Sequence, residues 1–349
     1  MADSQELIDA LDNRVRRRES RRSFFTDAIG AAAGSAALAM GGRAAAQSTP
    51  TPTPTPSPSP SPTSTAAPIT DADVLNFALN LEYLEANFYA FAATGSPLAA
   101  ADIAAGGATG TGTAVAATGG RRVTFTDPAV AQYAREIAAD ELAHVRFLRT
   151  NLGTAAVAQP AIDLSTGPTS AFGRAAVAAG LSATFDPYSS DENFLLGAYI
   201  FEDVGVSAYK GSATLLSSKT FLEAAAGILA VEAYHAAIIR TSLYRKGLAT
   251  PALIDATEGI AAARNALDGR PTEDLIRGIA PNDDQGIRPI ATPDGTASNI
   301  VPVNVNGIAF SRTAPQVLNI VYLNAAAVTA GGFFPAGVNG TIKTSAAST

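Results

Sequence analysis

From Ile69 onward, apolar residues recur at three- and four-residue intervals between short breaks rich in glycine, proline and serine, a pattern that predicts helices and an all-α fold. The first stretch, "TDADVLNFALNLEYLEANFYAFAATG", offers Thr70 or Asp71 as N-cap. It carries Asp73 in its first turn and Phe77, Leu81, Leu84, Phe88 and Phe91 on one stripe, and it stops at Gly95. The second predicted helix begins at Thr126 or Asp127 before Pro128 and ends at Gly153. The third is capped near Ser190 and stops at Gly211, and the fourth opens with a capping box from Thr220 to Glu223 and closes at Gly247. Four helices of about 20–25 residues predict a four-helix bundle. Beyond it, Pro251 to Gly269 predicts another helix and Pro315 to Leu323 a short one, within irregular segments rich in Gly, Pro, Asn and Thr. Between the first two helices, the Gly, Ala and Thr-rich insert from Ser96 to Gly120 is expected to be a surface loop.

The N-terminus follows different rules. "RRRESRRSFF" gives a basic stretch containing Arg21 and Arg22, a weakly apolar run extends from Ala28 to Met40, and Ala44 to Ala46 precede Gln47. This resembles a twin-arginine export signal and implies a periplasmic or extracellular protein. About 13 apolar residues fall short of the roughly 20 that span a bilayer, so no stable membrane span is expected after cleavage. "TPTPTPTPSPSPSPTSTAAP" follows, and its alternating proline predicts a polyproline II spacer on the order of 60 Å long. The expected organisation is a signal over 1–47, a linker over 48–68, a four-helix bundle over 69–247, and a C-terminal extension over 248–349 that packs on the bundle.

Charge and composition then narrow the chemistry. The net charge is −7 and the basic residues form no cationic face in the body, so nucleic acid is not an expected partner. With no cysteine, disulfides, thiolate zinc sites and thiol nucleophiles are excluded, which leaves oxygen and imidazole as donors. There are only two histidines, in "DELAHVRFLR" and "VEAYHAAIIR", and each follows a glutamate by three residues. Glu82, Glu141, Glu202 and Glu232 all fall about 11–13 residues after their predicted helix starts, so at about 1.5 Å per residue they lie at one level of the bundle. His144 and His235 project from the same faces as Glu141 and Glu232. The chain also repeats itself, because Glu82 and Glu202 each have a tyrosine, Tyr89 and Tyr209, seven residues on.

Four ionised carboxylates in an apolar bundle repel one another unless cations sit among them, and two divalent ions would balance the charge. Oxygen-rich donors with imidazole suit iron, or alternatively manganese. The candidate ligands are therefore Glu82, Glu141, His144, Glu202, Glu232 and His235, with bridging and terminal roles left unassigned. Glu85, on the same side of its helix as Glu82, is an alternative ligand. Tyr89 and Tyr209 are candidates to hydrogen-bond the ligands from behind, or else plain core tyrosines.

The order Glu, Glu-x-x-His, Glu, Glu-x-x-His on four helices resembles the ferritin-like superfamily of dimetal carboxylate proteins. "NGIAFSRTAPQVLNIVYL" and "GGFFPAGVNG" are similar to segments of the exported desiccation-related ferritin-like proteins. The resemblance implies a diiron protein that oxidises Fe(II) or consumes peroxide during desiccation or oxidative stress, a ferroxidase- or peroxidase-type oxidoreductase. The alternatives are a structural or protective protein with a relic metal site and a manganese catalase-like enzyme. Metal ions are the expected partners, and a homo-oligomer is compatible with this reading.

Overall fold

The computed structural model describes residues 68–269, 284–304 and 306–348. The signal expected over 1–47 and, apart from Pro68, the linker lie outside these residues. Helix α1 (Asp71–Thr94) starts with a capping box in which the Thr70 hydroxyl accepts the Asp73 amide and the Asp73 carboxylate accepts the Thr70 amide. It closes at Gly95, whose φ of 86° lies in the left-handed region that glycine enters without a Cβ clash. A single turn, α2 (Ala100–Ile103), precedes α3 (Pro128–Leu152), which is capped by Asp127 and has proline in its first turn. Helix α4 (Ala171–Ala178) leads to α5 (Asp191–Ala213), α6 (Lys219–Gly247) and α7 (Ala252–Asp268). A three-residue hairpin, β1 (Ile290–Thr292) with β2 (Gly295–Ala297), and α8 (Ala314–Val321) complete the described elements.

Two helix boundaries differ from the periodicity. Helix α5 runs past Gly211, the expected stop, because that glycine serves a close approach: a Cβ there would stand 1.8 Å from the Arg312 carbonyl oxygen. Helix α6 begins two residues early, with Ser218 rather than Thr220 as its cap. Asp71 of α1 accepts the Ser217 and Ser218 amides at 2.8 and 2.9 Å, so a tertiary contact outweighs the local Thr220–Glu223 pair.

Helices α1, α3, α5 and α6 form the bundle, and the contacts at their ends show that neighbouring helices run antiparallel. The start of α1 meets the end of α5 through Asp71 and Ser217, and the start of α5 meets the end of α6 through Glu192 and Lys246, 3.0 Å apart. Asn76 near the start of α1 bonds Ala155 beyond the end of α3, and Asp127 before α3 pairs with Lys246. The apolar interior is aromatic on the α1–α5 side, where Phe88 stacks on Phe194 with ring centroids 5.7 Å apart. The insert before α3 is not a free surface loop. Its Leu98, Ile103 and Ala117 are buried, and the Leu98 amide donates to Asn87 of α1.

The C-terminal segment is bound to the bundle in two ways. The "GGFF" turn inserts Phe333 between Phe172 and Phe201, at 5.1 and 5.0 Å, and Gly332, with φ 52°, takes a conformation in which a Cβ would meet the Val321 carbonyl at 2.2 Å. A buried ionic network then joins α5, α6, α7 and the segment before α8. Arg264 grips both oxygens of Asp284 at 2.7 Å and reaches Asp203 at 2.9 Å; Arg240 meets Asp203 at 2.8 Å, and Arg312 meets Asp284 and Asp268 at 2.6 Å. Three guanidiniums face three carboxylates, so the network is neutral as well as hydrogen-bonded, which is the condition for burying such charges.

Candidate metal centre

At the level where the four long helices cross, the six candidate ligands converge with almost no exposure. Two groups of donor atoms form, Glu82, Glu141, His144 and Glu232 in one and Glu141, Glu202 and His235 in the other, each with its atoms within 4.8 Å of one another. Glu141 belongs to both. Its carboxylate spans the groups, with one oxygen 3.0 Å from His235 Nδ1 and the other 3.6 Å from His144 Nδ1. His144 Nδ1 also lies 3.2 Å from Glu82 and 3.9 Å from Glu232, and His235 Nδ1 lies 3.7 Å from Glu202.

The oxygens left free distinguish roles that the sequence left open. The Tyr89 hydroxyl donates to Oε1 of Glu202, and the Tyr209 hydroxyl donates to Oε1 of Glu82. Each tyrosine therefore serves the glutamate of the other half of the repeat. Burial, and then the facing carboxylates, raise both phenol pKa values well above the ordinary value, so the hydroxyls stay protonated and donate. Glu82 and Glu202 thus keep one inward oxygen each, whereas Glu141 and Glu232 keep both, and of these two only Glu141 reaches both donor groups.

The donor atoms themselves test the fit of a metal. Nine buried side-chain polar atoms among the described residues lack a hydrogen-bond partner, and eight of them are the inward oxygens of Glu82, Glu141, Glu202 and Glu232 and Nδ1 of His144 and His235. Buried polar atoms are otherwise almost always satisfied, so donors concentrated in this way fit an ion that would complete their coordination. Protons carry the balancing charge when no ion does. Burial and the neighbouring Glu141 push Glu82 up to about 7, and burial pushes Glu202 up to about 8 despite His235. Glu141 falls to about 2 because both histidines outweigh its burial. His144 rises to about 11, and His235 to about 9, since the carboxylates around them outweigh desolvation.

Glu85 lies beside the cluster but supplies no atom to either group. Its counterpart in the repeat is Gly205, three residues after Glu202 as Glu85 is three after Glu82. A Cβ on residue 205 would stand 2.2 Å from Glu232 Oε2. Gly205→Ala is therefore expected to displace the Glu232 carboxylate and weaken metal binding at least about tenfold. The metal-free protein should lose no more than about 2 kcal/mol, because the overpacking cost is partly offset by alanine's advantage over glycine in a helix of about 1 kcal/mol. Metal titration together with thermal melts checks both halves of this expectation, and unchanged affinity would show that Glu232 can move aside harmlessly.

Sequence reasoning missed Asp140. It is half-exposed and accepts the far nitrogen of His235, Nε2, at 3.2 Å, which fixes the ring with Nδ1 turned inward. The adjacent acid in "DELAH" was the available signal, and "VEAYH" has Val231 at the corresponding position, so the repeat supplies this support to His235 alone among the described residues. Asp140→Ala should weaken metal binding about 10–100-fold. Calorimetric titration should show the loss in one of two binding steps, and an equal loss in both would contradict a local role.

Comparison with known proteins agrees with this arrangement. Residues 70–245 match the family described as Ferritin-like domain. The chain is 32% identical over 263 residues to the desiccation-related protein PCC13-62 of Craterostigma plantagineum, covering 72% of this chain and 77% of that one. It is 29% identical over 282 residues to the ferritin-like catalase Nec2 of Nesocodon mauritianus, covering 78% and 84%. No solved structure matches the chain significantly.

Proposed function

The chain belongs to the ferritin-like family as a desiccation-related member, and from that premise we propose that it is an exported dimetal oxidoreductase that consumes hydrogen peroxide. The observation that carries the metal half of this reading is the set of eight inward, unsatisfied oxygen and imidazole donors. The peroxide half is supported by the name of the catalase relative. Export is supported by the Arg21–Arg22 leader, which would place the folded part outside the cytoplasm during drying or oxidative stress.

Bound among these donors, a pair of iron or manganese ions would supply a store for the two electrons that one peroxide gives up and another takes. The overall change balances without an outside reductant. One H2O2 gains two electrons and two protons to form two waters, and a second loses two electrons and two protons to form dioxygen. The residues of the chain set the geometry for this exchange. Glu141, common to both donor groups, would tie the two positions together, with Glu82, His144 and Glu232 completing one and Glu202 and His235 the other. Tyr89 and Tyr209 hold the Glu202 and Glu82 carboxylates in one rotamer, and the aromatic core keeps bulk water away from that side of the centre.

Metal analysis of protein purified from its native compartment, followed by assays of peroxide loss and Fe(II) oxidation, tests the proposal. Two metal ions per chain with dioxygen release from peroxide are expected. Loaded protein that oxidises Fe(II) but spares peroxide would move the substrate to iron, and loaded protein inert to both would make the centre structural.

A further inference from the structure

Helix α6 carries an outward stripe that nothing among the described residues explains. Glu223, Gly227, Ala230, Tyr234, Thr241 and Arg245 are exposed and Ile238 is half-buried, and their spacings of three and four residues put them on one face. Between the charges at its two ends, the stripe has no ionised side chain over about 33 Å of helix, and Tyr234 at its centre is 71% exposed. Six of the seven glycines within the described α-helices serve a close approach, a Cβ at each standing within 2.7 Å of another atom. Gly227 alone meets nothing within 4 Å. Glycine in mid-helix lowers stability relative to alanine, so packing among the described residues gives no reason for it here. Neither Glu223 nor Arg245 has an ion-pair partner among the described residues.

We infer that this face is a two-fold contact between two copies of the chain, with their α6 helices packed antiparallel about Tyr234. In such a contact residue i meets j and j meets i. Glu223 and Arg245 lie eleven residues on either side of Tyr234, Gly227 and Thr241 seven, and Ala230 and Ile238 four. Centred there, Glu223 of each copy meets Arg245 of the other, Gly227 leaves room for Thr241, Ala230 leaves room for Ile238, and the two Tyr234 rings meet on the axis. Every pair off the axis joins opposite charges or sets a small side chain against a larger one. On α3, Phe147, 43% exposed, and the half-buried Tyr133 share the stripe of Asp140, which meets α6 at His235, so they extend the apolar face alongside. A membrane surface fits less well. An interfacial helix sets large apolar side chains beside lysine and arginine, whereas this stripe is mostly small and has an acid at one end. The α6 ligands Glu232 and His235 bracket Tyr234, so the axis passes at the height of the metal centre and sets the two centres of the dimer level with each other. None of this depends on which substrate the centre takes.

Charge exchange tests the register. Sedimentation equilibrium of the full chain should show a dimer, and Glu223→Arg and Arg245→Glu should each weaken it about tenfold or more, since like charges then face one another at both ends. The double variant should restore association. The two positions are about 33 Å apart within one molecule, so rescue reports a contact between molecules. The single variants shift net charge in opposite senses, so net charge does not account for both losses. Gly227→Leu separates association from folding. It should weaken the dimer about tenfold or more while the dilute monomer melts no lower, because a side chain there meets nothing and leucine is the better helix former. The chain has no cysteine, so Tyr234→Cys places a single thiol on the axis. Mild oxidation should link two copies through it, whereas Arg245→Cys, about 33 Å from its counterpart, should stay unlinked. A monomeric wild type, single variants that associate like the wild type, a double variant no better than the singles, or equal cross-linking at both positions overturns the contact. A monomer that cosediments with phosphatidylglycerol vesicles also overturns it and makes the face a membrane contact.

Discussion

Replacing Glu141 with alanine is expected to strip metal from both positions at once, lowering the content from two ions per chain toward none. Glu141 is the carboxylate common to both donor groups, with one oxygen near each histidine. Its removal takes an oxygen from both positions and leaves each imidazole without its bridging partner. The loss of affinity should exceed the roughly 10–100-fold that follows when only an outer hydrogen-bond partner is lost. Glu82→Ala provides the comparison, because Glu82 contributes to one group alone and its removal should cost about one ion. Metal analysis after gel filtration distinguishes the two patterns. If Glu141→Ala kept two ions, or if the two variants lost metal equally, the assignment of Glu141 as the shared bridge would be wrong.

Asp284→Ala should produce the largest loss of stability, about 3–5 kcal/mol, which is the scale for removing one partner from a buried ion pair. Asp284 accepts hydrogen bonds from both Arg264 and Arg312, each fully enclosed, and the variant leaves three guanidiniums facing two carboxylates, one uncompensated positive charge in the interior. At about 2–4 °C per kcal/mol, the melting temperature should fall by on the order of 10 °C. The effect has a definite pH dependence. Burial alone would raise the Asp284 pKa, but Arg264 and Arg312 outweigh it and hold the carboxyl below its ordinary value of 3.8. A group whose folded pKa is depressed contributes its full stabilisation above the unfolded value and loses it as pH falls through the folded one. The gap between wild type and variant in urea denaturation should therefore be widest near neutrality and narrow below about pH 4. A gap below about 1 kcal/mol at pH 7, or one that widens in acid, would argue against this role for the network.

Much of this architecture was readable from local pattern. Helical spacing, caps at Thr70, Asp127 and Ser190, and the stop at Gly95 are properties of neighbouring residues, and α1, α3 and α5 begin where those signals put them. The convergence of Glu82, Glu141, Glu202 and Glu232 was also legible, because a constant rise per residue turns equal distances from helix starts into equal heights. Tyr89 and Tyr209 could be singled out by their sevenfold spacing, yet the sequence could not say whose glutamate each would reach. Antiparallel packing of α1 against α5 decides that, since it brings position 89 beside 202 and 209 beside 82.

By itself, then, the sequence determined the helices, the height of the acidic belt within them and the kind of donor atoms available, because each follows from rules acting within one or two turns. Only the tertiary structure decided which carboxylate the two donor groups share, which histidine Asp140 supports, and that Gly205 makes room for the Glu232 carboxylate. It alone brought Asp203, Arg240, Arg264, Asp268, Asp284 and Arg312 into one buried network. Those residues share no period and no motif. What joins them is charge neutrality in a space from which water is excluded, a condition that exists only once α5, α6, α7 and the C-terminal segment have met.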